Sequence, residues 1–251
     1  MTQEDNGISL FFPVYNDEKT VRIVTEKALK VLSLLTNTFE IIIVNDGSPD
    51  RSGEIADQLQ KEHPQVKVIH HPKNLGYGAA VKSGFTNSQY PWICFTDGDD
   101  EYDVYDFLKL YKLKDFYDLI ITFRYVKLYS GKRQIISYCY NMILRCLFRI
   151  NYRDVSTGLR MVRKSLIDSL DLQTDSPFIG AEIAIKTMLK GYRVGEVGIQ
   201  TFPRQFGQGA STSYKNIIAT IKDMIKIYKS IFSKNYELPE NRLIGITNER
   251  S

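Results

Sequence analysis

A chain of 251 residues with 43% hydrophobic side chains has room for one α/β domain and enough apolar material to fill its core. Its 33 basic residues face 29 acidic ones, and a formal charge of +4 is too mild to argue for nucleic acid as a partner. Cys94, Cys139 and Cys146 show no metal-type spacing and read as reduced thiols of a cytosolic protein, no apolar run approaches a membrane span, and residues 1–7 are too polar for a secretory signal.

Residues 8–14 are an apolar run closed by Tyr15-Asn16, the pattern of a buried strand and its turn. Behind Asp17, which suits a helix cap, Val21, Val24, Ala28, Val31, Leu32 and Leu35 recur at helical spacing. A second apolar strand over 39–44 gives way to the loop Asn45-Asp46-Gly47-Ser48-Pro49-Asp50, and Ser52 is expected to cap a short helix. A third strand over 66–69 precedes Asn74-Leu75-Gly76-Tyr77-Gly78, a turn opening a further helix, where Gly76 and Gly78 could cradle phosphate on free amides. This is not a dinucleotide fingerprint, because the third glycine is missing and the turn comes after the third strand rather than the first. His70 and His71 point to opposite faces of a strand end and read as structural or solvated.

The fourth strand, residues 92–96, ends in Asp97-Gly98-Asp99-Asp100-Glu101. In an open α/β sheet such a strand delivers the residues at its C-terminal end to the ligand crevice. On extended backbone Asp97, Asp99 and Glu101 share one face, and three hard oxygen donors there suit Mg²⁺ or Mn²⁺. The regular alternation of strand and helix predicts a mainly parallel open sheet flanked by helices. A fifth strand over 119–123 ends at Arg124, a helical run begins after Gly131, and Asp154-x-Ser156-Thr157-Gly158-Leu159-Arg160 and Glu182 come later.

Four stretches in this order carry a resemblance: Pro13-Val-Tyr15-Asn16-Asp17-Glu18, Asn45-Asp46-Gly47-Ser48-x-Asp50, Asn74-x-Gly76-x-Gly78 and Asp97-x-Asp99. Together they resemble the nucleotide-sugar-binding half of the inverting family-2 glycosyltransferases, which implies the GT-A fold. With Arg124, Arg133, Ser137, Asp154-x-Ser156-Thr157-Gly158-Leu159-Arg160 and Arg204-x2-Gly207-x-Gly209-x-Ser211, the chain is similar to the polyprenyl-phosphate glycosyltransferases of the dolichyl-phosphate mannose synthase type over about residues 8–232. By that resemblance Pro13, Tyr15, Asp17, Asp46, Gly47, Asn74 and Gly76 would receive the donor, a GDP- or UDP-sugar, with Asp97 near ribose and metal. Asp99 would be the main ligand of Mg²⁺ or Mn²⁺, assisted by Glu101. Arg124, Arg133 and Ser137 would hold the phosphate of a polyprenyl acceptor, and Arg204 would reach the donor diphosphate. The implied organisation is one catalytic domain over 1–235, with a donor half (1–101) and an acceptor half (102–235), before a polar tail over 236–251.

Two amphipathic stretches fit a lipid acceptor. Ile135, Ile136, Cys139, Met142, Ile143, Cys146, Leu147 and Ile150 recur at helical spacing beside Arg133, Arg145 and Arg149, and a second basic amphipathic helix is expected over 213–234. Each is read either as a membrane-surface element or as a core helix with a solvated cationic edge. The expected protein is an enzyme of cell-envelope glycan synthesis, cytoplasmic and peripheral on the inner face of the membrane, with no transmembrane segment. The alternative is transfer to a glycan hydroxyl with Glu182 as general base, because a hydroxyl must lose a proton whereas a phosphate monoester is already an anion. A non-catalytic nucleotide-sugar sensor on the same fold is the reading from another class.

Overall fold

The computed structural model describes residues 6–125, 131–204, 206 and 213–232, apart from the side chains of Lys132 and Arg133. The expected boundary between domain and tail at 235/236 lies outside them, as do Gly207, Gly209 and Ser211.

The first half alternates as anticipated: β1 (Ile8–Val14), α1 (Val21–Leu35), β2 (Phe39–Asn45), α2 (Ser52–Glu62), β3 (Val66–His70), α3 (Tyr77–Asn87) and β4 (Trp92–Phe95). The second half runs α4 (Phe107–Tyr111), β5 (Leu119–Arg124), α5 (Gly131–Phe148), β6 (Arg160–Arg163), α6 (Lys164–Ser169), α7 (Ile179–Leu189), β7 (Val194–Ile199) and α8 (Tyr214–Phe232). Seven strands form one sheet in the order β3-β2-β1-β4-β6-β5-β7. All neighbours are parallel except β6, which runs antiparallel to both β4 and β5. Strand β6 is invisible to periodicity: Arg160-Met-Val-Arg163 is four residues with a charge at each end.

Buried strands alternate side chains between two covered faces. Phe11, Ile42, Val44 and Phe95 point to the side covered by α3, α5, α7 and α8, where the Phe11 and Phe95 rings stack at 5.1 Å. Leu10, Phe12, Ile41, Ile43 and Cys94 point to the side covered by α1, α2 and α4. Burying a large apolar side chain contributes about 1.5–3 kcal/mol each, so these two layers fix the sheet on which every loop of the site is mounted.

Two expected caps are not caps. Thr20 and Arg51 stand at the N-cap positions of α1 and α2. The Asp17 carboxylate instead accepts the Tyr15 amide at 3.1 Å, and the Ser52 hydroxyl accepts the Asp17 amide at 3.0 Å while donating to Asp50 at 2.6 Å. Both side chains are held in a loop-to-loop network, which leaves them unable to turn back onto their own helices.

Candidate active site

The acidic stretch after β4 does not continue as a strand. The backbone leaves the sheet after Phe95 and turns through Gly98–Asp100, with Asp100 at φ +59° and held by Lys27 at 2.7 Å. A side chain on Gly98 would meet the Pro13 carbonyl, and that glycine's own carbonyl accepts the Thr20 hydroxyl at 2.7 Å, so the turn is pressed against the end of β1. The expected same-face row of Asp97, Asp99 and Glu101 is therefore corrected. Among the described residues no three His, Cys, Asp or Glu side chains stand together as a complete ligand set. The turn, not strand alternation, brings Asp97 and Asp99 to one place.

Asp97 accepts the Tyr77 phenol at 2.7 Å and lies against Gly158, whose missing side chain makes room for it. Burial and then the Asp99 charge push the Asp97 carboxyl up to about 7. Asp99 accepts the Glu101 amide at 3.1 Å and forms an ion pair with Arg204, whose Nε also lies 3.5 Å from Glu101. Burial opposes the Arg204 charge, but Asp99, Asp17 and Glu101 hold its pKa above the ordinary value. Arg204 reaches across from the far end of the chain because Tyr102 bridges Thr201 and the Phe202 amide bonds the Glu101 carbonyl at 2.9 Å. Lys19 lies 5.1 Å over the Phe206 ring, tying the same segment to the loop after β1.

The residues present fit a divalent cation. Asp17, Asp97, Asp99 and Glu101 face one guanidinium from Arg204, so carboxylates outnumber cations there, and the Asp97 carboxyl is pushed up first by its burial and then by the Asp99 charge. Two hard oxygen donors at a strand end, completed by phosphate oxygens, are the usual surroundings of Mg²⁺ and Mn²⁺.

The loops after β2 and β3 meet at Asp46. Its carboxylate accepts the Leu75 and Gly76 amides, each at 2.9 Å, and His71 Nδ1 at 2.6 Å, while His71 Nε2 meets the Ser83 hydroxyl at 2.9 Å. Asp46 is therefore the brace between the β2 and β3 loops, and His71, read from sequence as structural or solvated, is the residue that orients it. The phosphate cradle expected at the start of α3 is absent, because the Leu75 and Gly76 amides go to Asp46 and the Gly78 amide goes to the Asp175 carbonyl at 2.9 Å. Gly47 is required by its φ of +64° and by the Lys73–Asn74 backbone, into which a side chain would run. Tyr15 and Asn74 are exposed at the mouth, with Pro13 half-buried below. Burial raises Asp17 to about 6, against the Tyr15 amide and the Arg204 charge.

On the other side, Arg124 at the end of β5 donates to Asp154 through Nε at 2.8 Å and Nη2 at 2.6 Å, and to Ser156 at 2.8 Å. Asn141 of α5 joins this group, donating to the Ser137 carbonyl at 2.9 Å and to Asp154 at 3.5 Å. Arg124 is thus linked through Asp154 and Asn141 to the Ser137 main chain, whereas the Arg133 side chain lies outside the described residues. Arg160 is a fully buried cation whose three nitrogens donate to the Thr157, Gly180 and Val155 carbonyls, and burial lowers its pKa. Sequence reading assigned no role to Tyr77, His71, Asp154, Gly158 or Arg160. Four of the five lie inside the motifs that carry the family resemblance, and their position there was the available signal.

Glu182 does not fit the general base it was weighed as. It has no exposed surface, and its carboxylate accepts the Gln173 and Thr174 amides, the Thr174 hydroxyl and Lys186 at 2.6–3.0 Å. It clamps the 171–174 loop onto α7.

Helix α5 turns much of its apolar stripe outward: Ile135, Ile136, Tyr138, Cys139, Met142, Ile143 and Cys146 are exposed, while Leu144 and Phe148 enter the core. Helix α8 buries Met224, Ile227 and Ile231 and exposes Ile221, Ile225, Tyr228 and Phe232 beside Lys222 and Lys229. The two surfaces adjoin where Phe148 meets Tyr228 with ring centroids 6.0 Å apart. Among the described residues no helix is long and apolar enough to cross a membrane.

Comparison with known proteins agrees with this geometry. The solved structure of glucosyl-3-phosphoglycerate synthase from Mycobacterium tuberculosis with Mn²⁺, uridine diphosphate and phosphoglyceric acid superposes with TM-score 0.70, covering 94% of this chain and 80% of that one at 16% identity. The shared architecture is the GT-A fold. In sequence, the chain is 26% identical over 225 residues to undecaprenyl-phosphate 4-deoxy-4-formamido-L-arabinose transferase of Photorhabdus laumondii, covering 87% of this chain and 66% of the relative. It is 25% identical over 207 residues to glycosyltransferase AglD of Haloferax volcanii, covering 78% of this chain and 33% of AglD. To the dolichyl-phosphate β-glucosyltransferase ALG5C of Trichomonas vaginalis it is 34% identical over 105 residues, covering 40% of this chain and 31% of the relative. The chain thus spans about a third of the length of the first curated relatives it matches. The model of the family described as glycosyl transferase family 2 matches residues 9–171, from β1 through the acidic turn to the end of the Asp154–Arg160 motif and beyond, and this chain belongs to that family.

Proposed function

We propose that the chain transfers a glycosyl group, with inversion, from a GDP- or UDP-sugar to a polyprenyl phosphate at a membrane surface. The observation that carries this reading is the Asp97–Asp99 turn, gripped by Arg204 at the end of β4, on the same domain as an outward-facing apolar and basic surface of α5 and α8. The relatives named for dolichyl-phosphate and undecaprenyl-phosphate transfer support the acceptor class.

In this reading Asp97 and Asp99 hold Mg²⁺ or Mn²⁺ together with the donor diphosphate. The chemistry supplied by a bound cation there is neutralisation of the charge that develops on the departing nucleoside diphosphate. Arg204, already at the Asp99 carboxylate, brings a second positive charge to the same place. Pro13, Tyr15, Asp17, Gly47, Asn74 and Gly76 line the donor side, with Asp46 holding their loops in register. The acceptor needs no strong base, because a phosphate monoester is largely ionised near neutral pH. Arg124 and Ser137, joined through Asp154 and Asn141, and Arg133 on the same helix receive that phosphate and hold it in line with the anomeric carbon, so their contribution is orientation. Clamped by four donors, Glu182 is poorly suited to deprotonate a hydroxyl, which favours the phosphate acceptor over a glycan hydroxyl. The site of action proposed is the cytoplasmic face of a membrane.

The test is a panel of GDP-, UDP- and dTDP-sugars offered with a short polyprenyl phosphate, with and without Mg²⁺ or Mn²⁺. A lipid-phosphate-linked sugar formed only with a divalent ion is the expected product. Transfer to a glycan hydroxyl alone, or turnover unaffected by chelator, overturns the reading.

A further inference from the structure

Between α5 and the loop preceding β6 lies a cleft of about 110 Å³ lined by Tyr138, Asn141, Met142, Arg145 and Arg153. It shares no lining residue with the acidic turn, borders the Arg124–Asp154 network through Asn141, and carries two cations in place of carboxylates. The Arg145 guanidinium is aimed by bonds to the Tyr152 carbonyl at 3.1 Å and the Arg153 carbonyl at 3.3 Å, and these leave its Nη1 with no partner among the described residues. The Arg153 guanidinium makes no hydrogen bond or ion pair among the described residues and is held only by stacking at 4.5 Å over the Phe123 ring. The acids closest in chain or contact are already committed: Asp154 to Arg124, Ser156 and Asn141, and Glu196 to the Arg153 amide at 2.7 Å. Two guanidiniums therefore share one concavity whose own lining holds no carboxylate, Glu196 reaching only the Arg153 main-chain amide.

The rim identifies what fits. Tyr138, Met142 and Arg145 succeed one another along one stripe of α5, and Ile135, Cys139 and Ile143 are exposed beside it. A guanidinium recognises a phosphate through paired, charge-assisted hydrogen bonds, and exposed apolar side chains around it suit acyl chains rather than water. A free phosphate or a soluble nucleotide uses the first feature and leaves the second in solvent.

We propose that the Arg145–Arg153 cleft receives the phosphate of an anionic phospholipid headgroup and so seats α5 in the bilayer surface. This rests on the membrane-surface reading above but not on which acceptor is used.

The experiment sediments the whole chain with phosphatidylcholine vesicles, with and without phosphatidylglycerol, and measures turnover on a short water-soluble polyprenyl phosphate in parallel. Arg153→Gln removes a guanidinium that bonds to nothing among the described residues, so the fold is preserved, and it lowers partitioning onto phosphatidylglycerol vesicles about five-fold, the usual weight of one basic residue near an anionic surface. Adding Arg145→Gln deepens the loss, Arg145→Lys with Arg153→Lys restores most of it, and turnover of the short acceptor is unchanged throughout. Ile143→Asp weakens binding to both kinds of vesicle, which separates apolar insertion from headgroup recognition. Equal binding of parent and Arg153→Gln to phosphatidylglycerol vesicles overturns the proposal. So does a loss of short-acceptor turnover with vesicle binding intact, which would assign the pair to the acceptor phosphate instead. A parent chain inactive on every polyprenyl phosphate would sink the catalytic reading alone, and a five-fold vesicle effect would still support this site.

Discussion

The two sides of the site, proposed above to receive donor and acceptor, are built by different means. On the donor side, each loop leaves its strand directly and is bonded to the next loop along: Asp17 to Ser52, Glu18 to Asp50, and Asp46 to Leu75 and Gly76. On the acceptor side, Arg124 at the end of β5 is held by a buried ion pair to Asp154, and where the two sides meet Arg204 pairs with Asp99 from far along the chain, with β6 inserted between β4 and β5. A site assembled from neighbouring strand ends has its residues fixed by the sheet itself. One that hangs on a few charged pairs is open to single substitutions, which there act directly on the charges the chemistry needs.

The comparison is tested hardest where the two sides meet. Asp99→Asn keeps the shape of the turn but removes charge from both the cation and Arg204, and kcat is expected to fall about 10³-fold, since the lost stabilisation acts mainly as charge develops on the leaving group. Steady-state kinetics at saturating donor is the check, and full activity in this variant would break the proposed mechanism at its centre.

A second pair of variants sets the acceptor side against a buried look-alike. Arg124→Ala should lower kcat/KM for a polyprenyl phosphate by about 10², the typical cost of one charge-assisted bond to a reacting group, while nucleotide affinity stays as it was. Glu182→Gln should instead act on stability: it weakens a fully buried acceptor of Lys186, at a cost of about 1–3 kcal/mol in unfolding free energy, and leaves activity per folded molecule near normal. Because Arg124→Ala also leaves the buried Asp154 without its guanidinium, activity per folded molecule, with denaturant titration beside it, is what separates them. The reverse ranking would return the chain to a hydroxyl acceptor.

The smallest effect is expected within the donor brace. His71→Gln removes the ring that ties Asp46 to Ser83 and loosens the 74–76 turn, so donor KM should rise about ten-fold with kcat little changed, as for uniform binding loss. Asn in place of Gln at position 71 offers shorter reach and should recover less. A drop in kcat at constant KM would show that Asp46 touches the reaction rather than the loops.

Most of the donor side could be read in advance because its signals are local. Apolar runs over β1, β2 and β4 and the glycines and acids at their ends are adjacent in sequence, and they stay adjacent in space. What could not be read has a physical cause in each case. The row of Asp97, Asp99 and Glu101 assumed extended backbone, but Gly98 and the left-handed Asp100 make a turn. The free amides at Gly76 and Gly78 assumed an open helix start, but Asp46 and Asp175 already occupy them. His71 carries no periodicity or motif signal at all, and Arg160 had only its place in a motif, since the role of each is defined by partners on other elements. The α5 surface was legible as amphipathic, yet which side of it faces outward depended on how Leu144 and Phe148 enter the core.

The antiparallel strand β6 has a consequence for the order in which the protein can be made. Among the described residues strand β5 pairs with β6 and β7, both of which leave the ribosome after it, whereas β1 to β4 find partners among themselves as they emerge. A nascent chain that has reached residue 150 therefore holds a finished four-stranded half-sheet and one apolar strand, Leu119–Arg124, with nowhere to pair. Until Arg160–Arg163 is supplied, β4 is an open sheet edge and β5 an exposed sticky segment, the combination that favours association between unfinished chains. Growth of the polypeptide past one short, charge-ended strand closes that window, because β6 satisfies both edges at once.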